Sequence, residues 1–135
     1  MQSALLDTGA LVAIVNRRDR SHAQLTALLK DYDGRFLPTW PVVAEACSFM
    51  PDRLQGRVLD WIAAADVEIV SIDAGIDFMR NTMAEYRDLP CDFADASLVY
   101  AASQTRVREI WTLDRDFVVF RLPDRTRFTL IPGAK

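Results

Sequence analysis

The chain is poor in histidine and cysteine, two residue types that carry much of protein chemistry. It has one histidine, His22, and two cysteines, Cys47 and Cys91, which lie far apart and outside any Cys-x-x-Cys pair. A histidine general base, a zinc site and a disulfide framework therefore have little support. A Gly-x-Ser-x-Gly segment and a glycine-rich phosphate loop are also absent. We expect buried, apolar roles for the cysteines and a surface or capping role for His22.

Long apolar runs are also missing. The run from Ala10 to Val15 ends at Asn16 and a charged stretch, far short of the roughly 20 residues that a membrane helix needs. The first residues lack the basic and apolar regions of a secretory signal. Half of the 135 residues are apolar, which is enough for one core. We expect a soluble, cytoplasmic protein without membrane contact and with a single domain over residues 1–135.

Acidic residues outnumber basic ones, 19 to 16, which gives a net charge of −3 and a pI near 5.1. Lys30 and Lys135 are the only lysines, and Arg17, Arg18 and Arg20 form the densest basic segment. This balance excludes a protein that holds nucleic acid mainly through a broad basic surface. If nucleic acid is the partner, bound cations must offset the acidic side chains locally.

What the sequence does contain is an alternation of strand-length apolar segments with segments of helical periodicity. This pattern is typical of an α/β domain with a parallel sheet. Six helices are predicted between and after the strands, one of them beginning near Pro41 and another spanning about Asp92 to Thr105. Five segments read as strands: Ser3–Leu6, Arg35–Pro38, Val67–Ile72, Ile110–Leu113 and Phe128–Ile131.

Acidic residues follow two of the predicted strands. Asp7 comes directly after the first strand, and Asp114 and Asp116 come after the fourth. Carboxyl ends of parallel strands meet at one edge of the sheet, together with the first turns of the helices that follow. We therefore expect these carboxylates to converge in space.

Two further acids lie on helix faces that otherwise look buried. Glu45 is near the middle of a short predicted helix, with Val42 and Phe49 one turn away, and Asp95 shares its face with Leu98, Val99 and Ala102. Burying a carboxylate without a partner is costly. Both acids therefore need an explanation beyond solvent exposure.

Helix capping is the competing explanation. Asp7 could cap a helix that begins at Thr8 or Gly9, Asp92 could cap a helix with Asp95 at its third position, and Asp114 or Asp116 could stabilise a turn. Each of these alternatives is about as good as a functional role. Capping does not explain Glu45, which is too far inside its helix.

A bound divalent cation would explain the group as a whole, because gathered carboxylates repel one another unless positive charge lies between them. Mg²⁺ or Mn²⁺ can lower the pKa of water, orient it towards a phosphodiester and offset charge on the leaving oxygen. Acids without histidine suit that chemistry. The candidate metal ligands are Asp7, Glu45, Asp95 and Asp114.

The assembled segments resemble the PIN domain family and, more narrowly, bacterial toxin ribonucleases of the VapC type. The resemblance rests on the order and spacing of Leu5–Leu11, Thr39–Glu45, Asp92–Leu98 and Thr112–Phe117. It implies a mostly parallel, twisted sheet of about five strands with helices on both faces. It also implies Mg²⁺-dependent cleavage of single-stranded RNA.

The resemblance assigns roles to particular residues and partners. Asp7, Glu45, Asp95 and Asp114 would be the core catalytic acids, Asp116 would be auxiliary, and Asp7 and Asp95 would be the most direct metal ligands. The toxin would be neutralised by a cognate antitoxin protein, and homodimers would be expected.

Three alternatives remain open at this stage. Leu6-Asp7-Thr8-Gly9-Ala10 is also the signature of a dimeric aspartic protease, although that fold consists almost entirely of strands. A phosphatase or receiver domain that uses an aspartyl phosphate is a second alternative, but the Asp-x-Asp start of the phosphatase is missing because position 9 is glycine. The third is a non-catalytic PIN-like interaction domain that keeps the acids as a structural ion site.

Overall fold

The computed structural model of the protein describes residues 2–133. Its four-stranded sheet has the order β2-β1-β3-β4, and every neighbouring pair is parallel. The strands are β1 (Ser3–Leu6), β2 (Arg35–Leu37), β3 (Glu109–Trp111) and β4 (Thr129–Ile131). In the register, Leu5 of β1 lies between Leu37 of β2 and Ile110 of β3. The predicted α/β fold with a parallel sheet is confirmed.

The prediction of about five strands is one strand too many. The segment predicted as Val67–Ile72 pairs with β2 through a single parallel bridge between Val67 and Phe36. The backbone N–H of Phe36 donates to the Asp66 carbonyl at 3.0 Å, and that of Val70 donates to the Pro38 carbonyl at 2.9 Å. The segment thus continues the parallel pattern beside β2, but the next bond of the ladder would have to come from the N–H of residue 38, which is proline and has none.

Six α-helices surround the sheet, as predicted. They are α1 (Thr8–Val15), α2 (His22–Lys30), α3 (Trp40–Ser48), α4 (Gln55–Ala64), α5 (Ile76–Glu85) and α6 (Phe93–Thr105). The Thr39 side chain accepts a hydrogen bond from the Val42 N–H at the start of α3, and Pro41 stands in the first turn, where its missing N–H costs nothing. None of the helices in residues 2–133 is long and apolar enough to cross a membrane.

The direction of the connections fixes where a site can form. The chain runs from β1 to β2 on one side and later returns past β1 to β3 on the other. Right-handed crossovers in opposite directions place their helices on opposite faces of the sheet. The crevice at the carboxyl ends of β1 and β3, where the direction reverses, is the usual binding position in such sheets.

The core lies around β1 and α6. Leu5, Leu6 and Ile110 of the strands are fully buried, as are Leu98 and Ala102 of α6. Burial of the apolar face of α6 confirms the predicted orientation of that helix and leaves its first turn at the edge of the sheet. Of the two free cysteines, Cys91 is buried as expected, whereas Cys47 is only half-buried.

Candidate active site

Asp7 is the most buried of the acids, with 5% of its surface exposed. It directly follows β1 and is the N-cap of α1. One carboxylate oxygen, Oδ1, accepts a hydrogen bond from the Thr8 N–H at 2.8 Å. The other, Oδ2, accepts one from the Thr112 hydroxyl at 2.7 Å. Both oxygens are therefore fixed in position at the carboxyl end of the central strand.

Thr112 connects Asp7 to Asp114. Its Oγ1 donates to Asp7 and accepts a hydrogen bond from the Asp114 N–H at 2.9 Å. The Asp114 carboxylate in turn accepts from the Asp116 N–H at 2.9 Å and caps a 3-10 turn over Arg115–Val118. No role was predicted for Thr112, although it begins the Thr112–Phe117 segment that also contains Asp114.

Asp95 reaches the same edge from α6. Its N–H donates to the Asp92 carboxylate at 2.9 Å, and its own carboxylate accepts from the Asp92 N–H at 3.2 Å, which forms a capping box. The hydroxyls of Thr39, at the start of α3, and Ser97, in the second turn of α6, form a buried hydrogen bond of 2.6 Å. These contacts hold the first turn of α6 against the sheet edge.

Three of the predicted acids converge. Asp7, Asp95 and Asp114 each offer a carboxylate oxygen, and these oxygens lie within 4.8 Å of one another. Glu45 and Asp116 stand outside this acid triad. Glu45 is nevertheless close enough to add to the repulsion felt by Asp7. Asp116 is likewise close to the triad, because the Asp114 charge, together with burial, raises the pKa of the Asp116 carboxyl.

Electrostatics at the triad disfavour negative charge. Burial is the main cause that raises the pKa of Asp7 to about 6, and repulsion by Asp114 and Glu45 adds to it. The hydrogen bonds from Thr112 and Thr8 act in the opposite direction. Burial also raises the pKa of Asp95, with Asp92 and Asp7 as further causes. These shifts are those of carboxylates that lack a positive partner.

Such a partner is not supplied by the described protein. The ion pairs within residues 2–133 involve Arg35, Arg80 and Arg125 with other acids, and none includes a member of the triad. Oxygen ligands of one hard divalent cation, bound at about 2.0 to 2.6 Å, are at most about 5 Å apart. The donor type, the spacing and the missing counter-charge therefore all fit such an ion.

Phe49 does not belong to the buried stripe that was predicted around Glu45. The predicted apolar stripe included Phe49, but the Phe49 side chain is 65% exposed. Val42 on the same helix is fully buried as expected, and Glu45 itself is half-buried. Phe49 ends the helix beside a turn, where its ring passes beyond the core, a placement that helical spacing alone does not reveal.

A family model described as PIN domain matches residues 4–121. The chain belongs to the PIN domain family. Every predicted site residue of this PIN domain protein, from Asp7 to Asp116, lies inside the matched region. No curated protein matches the chain by sequence.

A solved structure shares the fold of this PIN domain. VapC20 of Mycobacterium tuberculosis, described as a Sarcin-Ricin loop cleaving toxin, matches with a TM-score of 0.75 and 15% sequence identity. The match covers 87% of this chain and 94% of VapC20. In this α/β fold, Asp7-Thr8-Gly9 forms the N-cap and first residues of α1. The aspartic protease alternative requires a fold made almost entirely of strands, so it has no basis.

Proposed function

We propose that this PIN domain protein is a Mg²⁺- or Mn²⁺-dependent endoribonuclease that cleaves single-stranded RNA. The observation that carries the proposal is the acid triad of Asp7, Asp95 and Asp114, whose oxygens lie within 4.8 Å of one another at the crevice where the chain reverses direction. The description of VapC20, which shares the fold, as a Sarcin-Ricin loop cleaving toxin supports the proposal of an RNA substrate.

The proposed roles follow from how each side chain is held. Asp7, Asp95 and Asp114 would bind the cation, and Glu45 would complete the ligands from α3. A divalent cation bound there would lower the pKa of a bound water molecule and offset negative charge on the phosphodiester. Thr112 fixes the Asp7 carboxylate and the Asp114 backbone in one geometry. Asp116 is retained as an auxiliary acid at the rim.

The experiment that tests this function is cleavage of an unstructured RNA by purified protein freed of partners. We expect cleavage with Mg²⁺ or Mn²⁺, none in excess EDTA, and none by Asp7→Asn or Asp95→Asn. The matched control is Asp60→Asn, a substitution of the same type at an exposed position on α4, which should cleave normally. Full cleavage in EDTA, or by both triad variants, would contradict the proposal.

A non-catalytic PIN-like domain with a structural ion is the second candidate, because a triad that binds metal need not turn over a substrate. Metal-dependent stabilisation without RNA cleavage under any of these conditions would favour it. The absence of a positive partner near Asp7 in residues 2–133 supports metal binding in both candidates, so only turnover separates them.

The proposed partners follow from the toxin assignment. We propose that the protein is the cytoplasmic toxin of a type II toxin–antitoxin pair, inhibited by a cognate antitoxin and assembled as a homodimer. Co-expression with the product of an adjacent small open reading frame should yield a complex that does not cleave RNA. Light scattering of the purified toxin should give twice the chain mass of 15.3 kDa.

A further inference from the structure

A groove runs along α1 past the end of α3, and its near end is lined by neighbours in sequence of Asp7 and Asp114. Its volume is about 540 Å³, and its lining includes Gly9, Val12, Asn16, Arg20, Phe49 and Leu113. We call it the α1–α3 groove. Its lining combines an arginine with an exposed aromatic ring, the two side-chain types that hold single-stranded nucleic acid.

The near end of the groove lies beside the two chain segments that carry Asp7 and Asp114. Gly9 lies two residues after Asp7, Leu113 directly precedes Asp114, and the two meet closely, because a Cβ on Gly9 would be 3.8 Å from the Leu113 Cβ. From Gly9 to Asn16 the groove follows α1 for about 10 Å, at 1.5 Å per residue. The groove is therefore next to the segments that carry two of the triad acids, where RNA beside a bond cleaved at the triad would lie.

Phe49 presents its ring on the other wall. It follows Glu45 by one helical turn, so both side chains emerge on the same face of α3. The Phe49 N–H donates to the carbonyls of Glu45 and Ala46 at 3.3 and 3.2 Å, which fixes its backbone, while 65% of the residue stays exposed. Because the backbone at Phe49 is held in place and the side chain is exposed, a base can stack on the ring.

The far end of the groove carries the densest positive charge of the chain. Arg17, Arg18 and Arg20 are exposed, and none of them joins an ion pair within residues 2–133. Asp19 also lines the groove, but its carboxylate accepts a hydrogen bond from the Ser21 N–H at 2.8 Å and stabilises the turn. The guanidinium of Arg20 therefore remains available to a phosphate.

We propose that the α1–α3 groove binds the single-stranded RNA next to the cleaved bond, with a base stacked on Phe49 and a backbone phosphate contacted by Arg20. This inference rests on the proposed ribonuclease function and adds two substrate-positioning residues outside the acids. It also explains how a protein of net charge −3 holds a polyanion, since positive charge is concentrated where the strand passes rather than spread over the surface.

Binding and turnover are measured separately. The probe for binding is a fluorescein-labelled, unstructured RNA of about 12 nucleotides, titrated by anisotropy in the Asp7→Asn background with Mg²⁺ present. We expect Phe49→Leu to weaken binding about tenfold, because leucine keeps the apolar contact but has no ring to stack, and Phe49→Trp to preserve it. Arg20→Ala should weaken binding and reduce the slope of log affinity against log salt by about 0.7, the value for one phosphate contact.

Turnover is followed with the natural acids in place. Phe49→Leu and Arg20→Ala should raise KM and leave kcat nearly unchanged, because neither side chain belongs to the triad. The matched controls are Leu59→Ala, exposed on α4, and Arg108→Ala, which precedes β3 at the opposite edge of the sheet. Both controls should bind and cleave like the unaltered protein.

The outcomes distinguish the groove from the ribonuclease itself. Cleavage with wild-type KM and affinity in both groove variants would overturn the groove and leave the ribonuclease standing. Absence of any cleavage, with RNA binding still reduced by the groove variants, would overturn the ribonuclease only. Loss of antitoxin binding in these variants, with unchanged RNA affinity, would assign the groove to a protein and would also overturn the inference.

Discussion

Asp7 and Asp92 occupy equivalent local positions and differ in almost everything else. Each is the N-cap of a helix and accepts a hydrogen bond from a backbone N–H of the first turn, Asp7 from Thr8 at 2.8 Å and Asp92 from Asp95 at 2.9 Å. Asp7 is buried and belongs to the acid triad, whereas Asp92 is exposed and does not.

Capping does not keep an acid out of the triad. Asp7, Asp95 and Asp114 all make capping-type hydrogen bonds and still bring oxygens together. What separates Asp7 from Asp92 is burial, the main cause of the raised pKa of Asp7, and a carboxylate oxygen close to those of two other acids. Removing the charge of Asp7 should therefore have a large effect on RNA cleavage, and removing that of Asp92 a small one.

The largest contrast is expected in RNA cleavage. Asp7→Asn removes one negative ligand of the proposed cation and should reduce kcat/KM at least about a thousandfold, since several kcal/mol of charge stabilisation are lost. Asp92→Asn keeps a capping oxygen and should change kcat/KM less than about threefold. Circular dichroism would establish that both variants are folded. Equal losses in the two variants would remove the distinction drawn between them.

A second contrast is expected in stabilisation by metal. A cation that binds only the folded protein adds about 4 kcal/mol when its concentration is a thousand times the Kd. Mn²⁺ should therefore raise the Tm of the unaltered protein and of Asp92→Asn, but not that of Asp95→Asn. Scanning calorimetry with and without EDTA measures this. A full Tm increase in Asp95→Asn would exclude Asp95 as a ligand.

The pH dependence of the metal-free protein should come from Asp7 and from Asp95, whose pKa is raised further, to about 8, and Asp7 should account for the part between about pH 4 and pH 6. Its pKa is raised to about 6 by burial, so the protonated form contributes stability that is fully present below about pH 4 and is lost as the pH rises through about 6. The cost of ionised Asp7 is on the order of 3 kcal/mol, from about 1.4 kcal/mol per pKa unit. Denaturant unfolding in EDTA should show this dependence, and Asp7→Asn should remove the part that lies between about pH 4 and pH 6. An unchanged profile in that variant would place the titration elsewhere.

The smallest effect is expected from the cap on α6. Asp92→Ala removes the acceptor for the Asp95 N–H and should lower the free energy of unfolding by about 1 kcal/mol. Asp92→Asn should lower it by much less, because the amide oxygen can still accept. Urea unfolding in EDTA compares the two without interference from metal. A loss of several kcal/mol would mean that Asp92 supports the triad as well as the helix.

The sequence was sufficient to predict most of the fold, and the three triad acids are among the five predicted site residues, whereas Glu45 and Asp116 lie outside the triad. β1, β3 and their following acids are local patterns, since an apolar run and the aspartate after it are adjacent in the chain. The place where Asp7 and Asp114 meet followed from one topological rule, that carboxyl ends of parallel strands share an edge. The capping box of α6 was visible as Asp92 and Asp95 at three-residue spacing.

The remainder depends on contacts that no local pattern encodes. The segment predicted as Val67–Ile72 forms only a bridge because Pro38 has no N–H to continue the ladder. Phe49 is exposed because α3 ends there. The hydrogen bond from Thr112 to Asp7 joins residues 105 positions apart, and threonine beside an acid is too common to predict such a contact.

The central claim is that Asp7, Asp95 and Asp114 hold a divalent cation together, and Mn²⁺ titration followed by electron paramagnetic resonance tests it most directly. We predict saturable binding by the unaltered protein and by Asp60→Asn, and its loss in Asp7→Asn, Asp95→Asn and Asp114→Asn. Mn²⁺ binding of undiminished affinity and stoichiometry in all three triad variants would contradict the account.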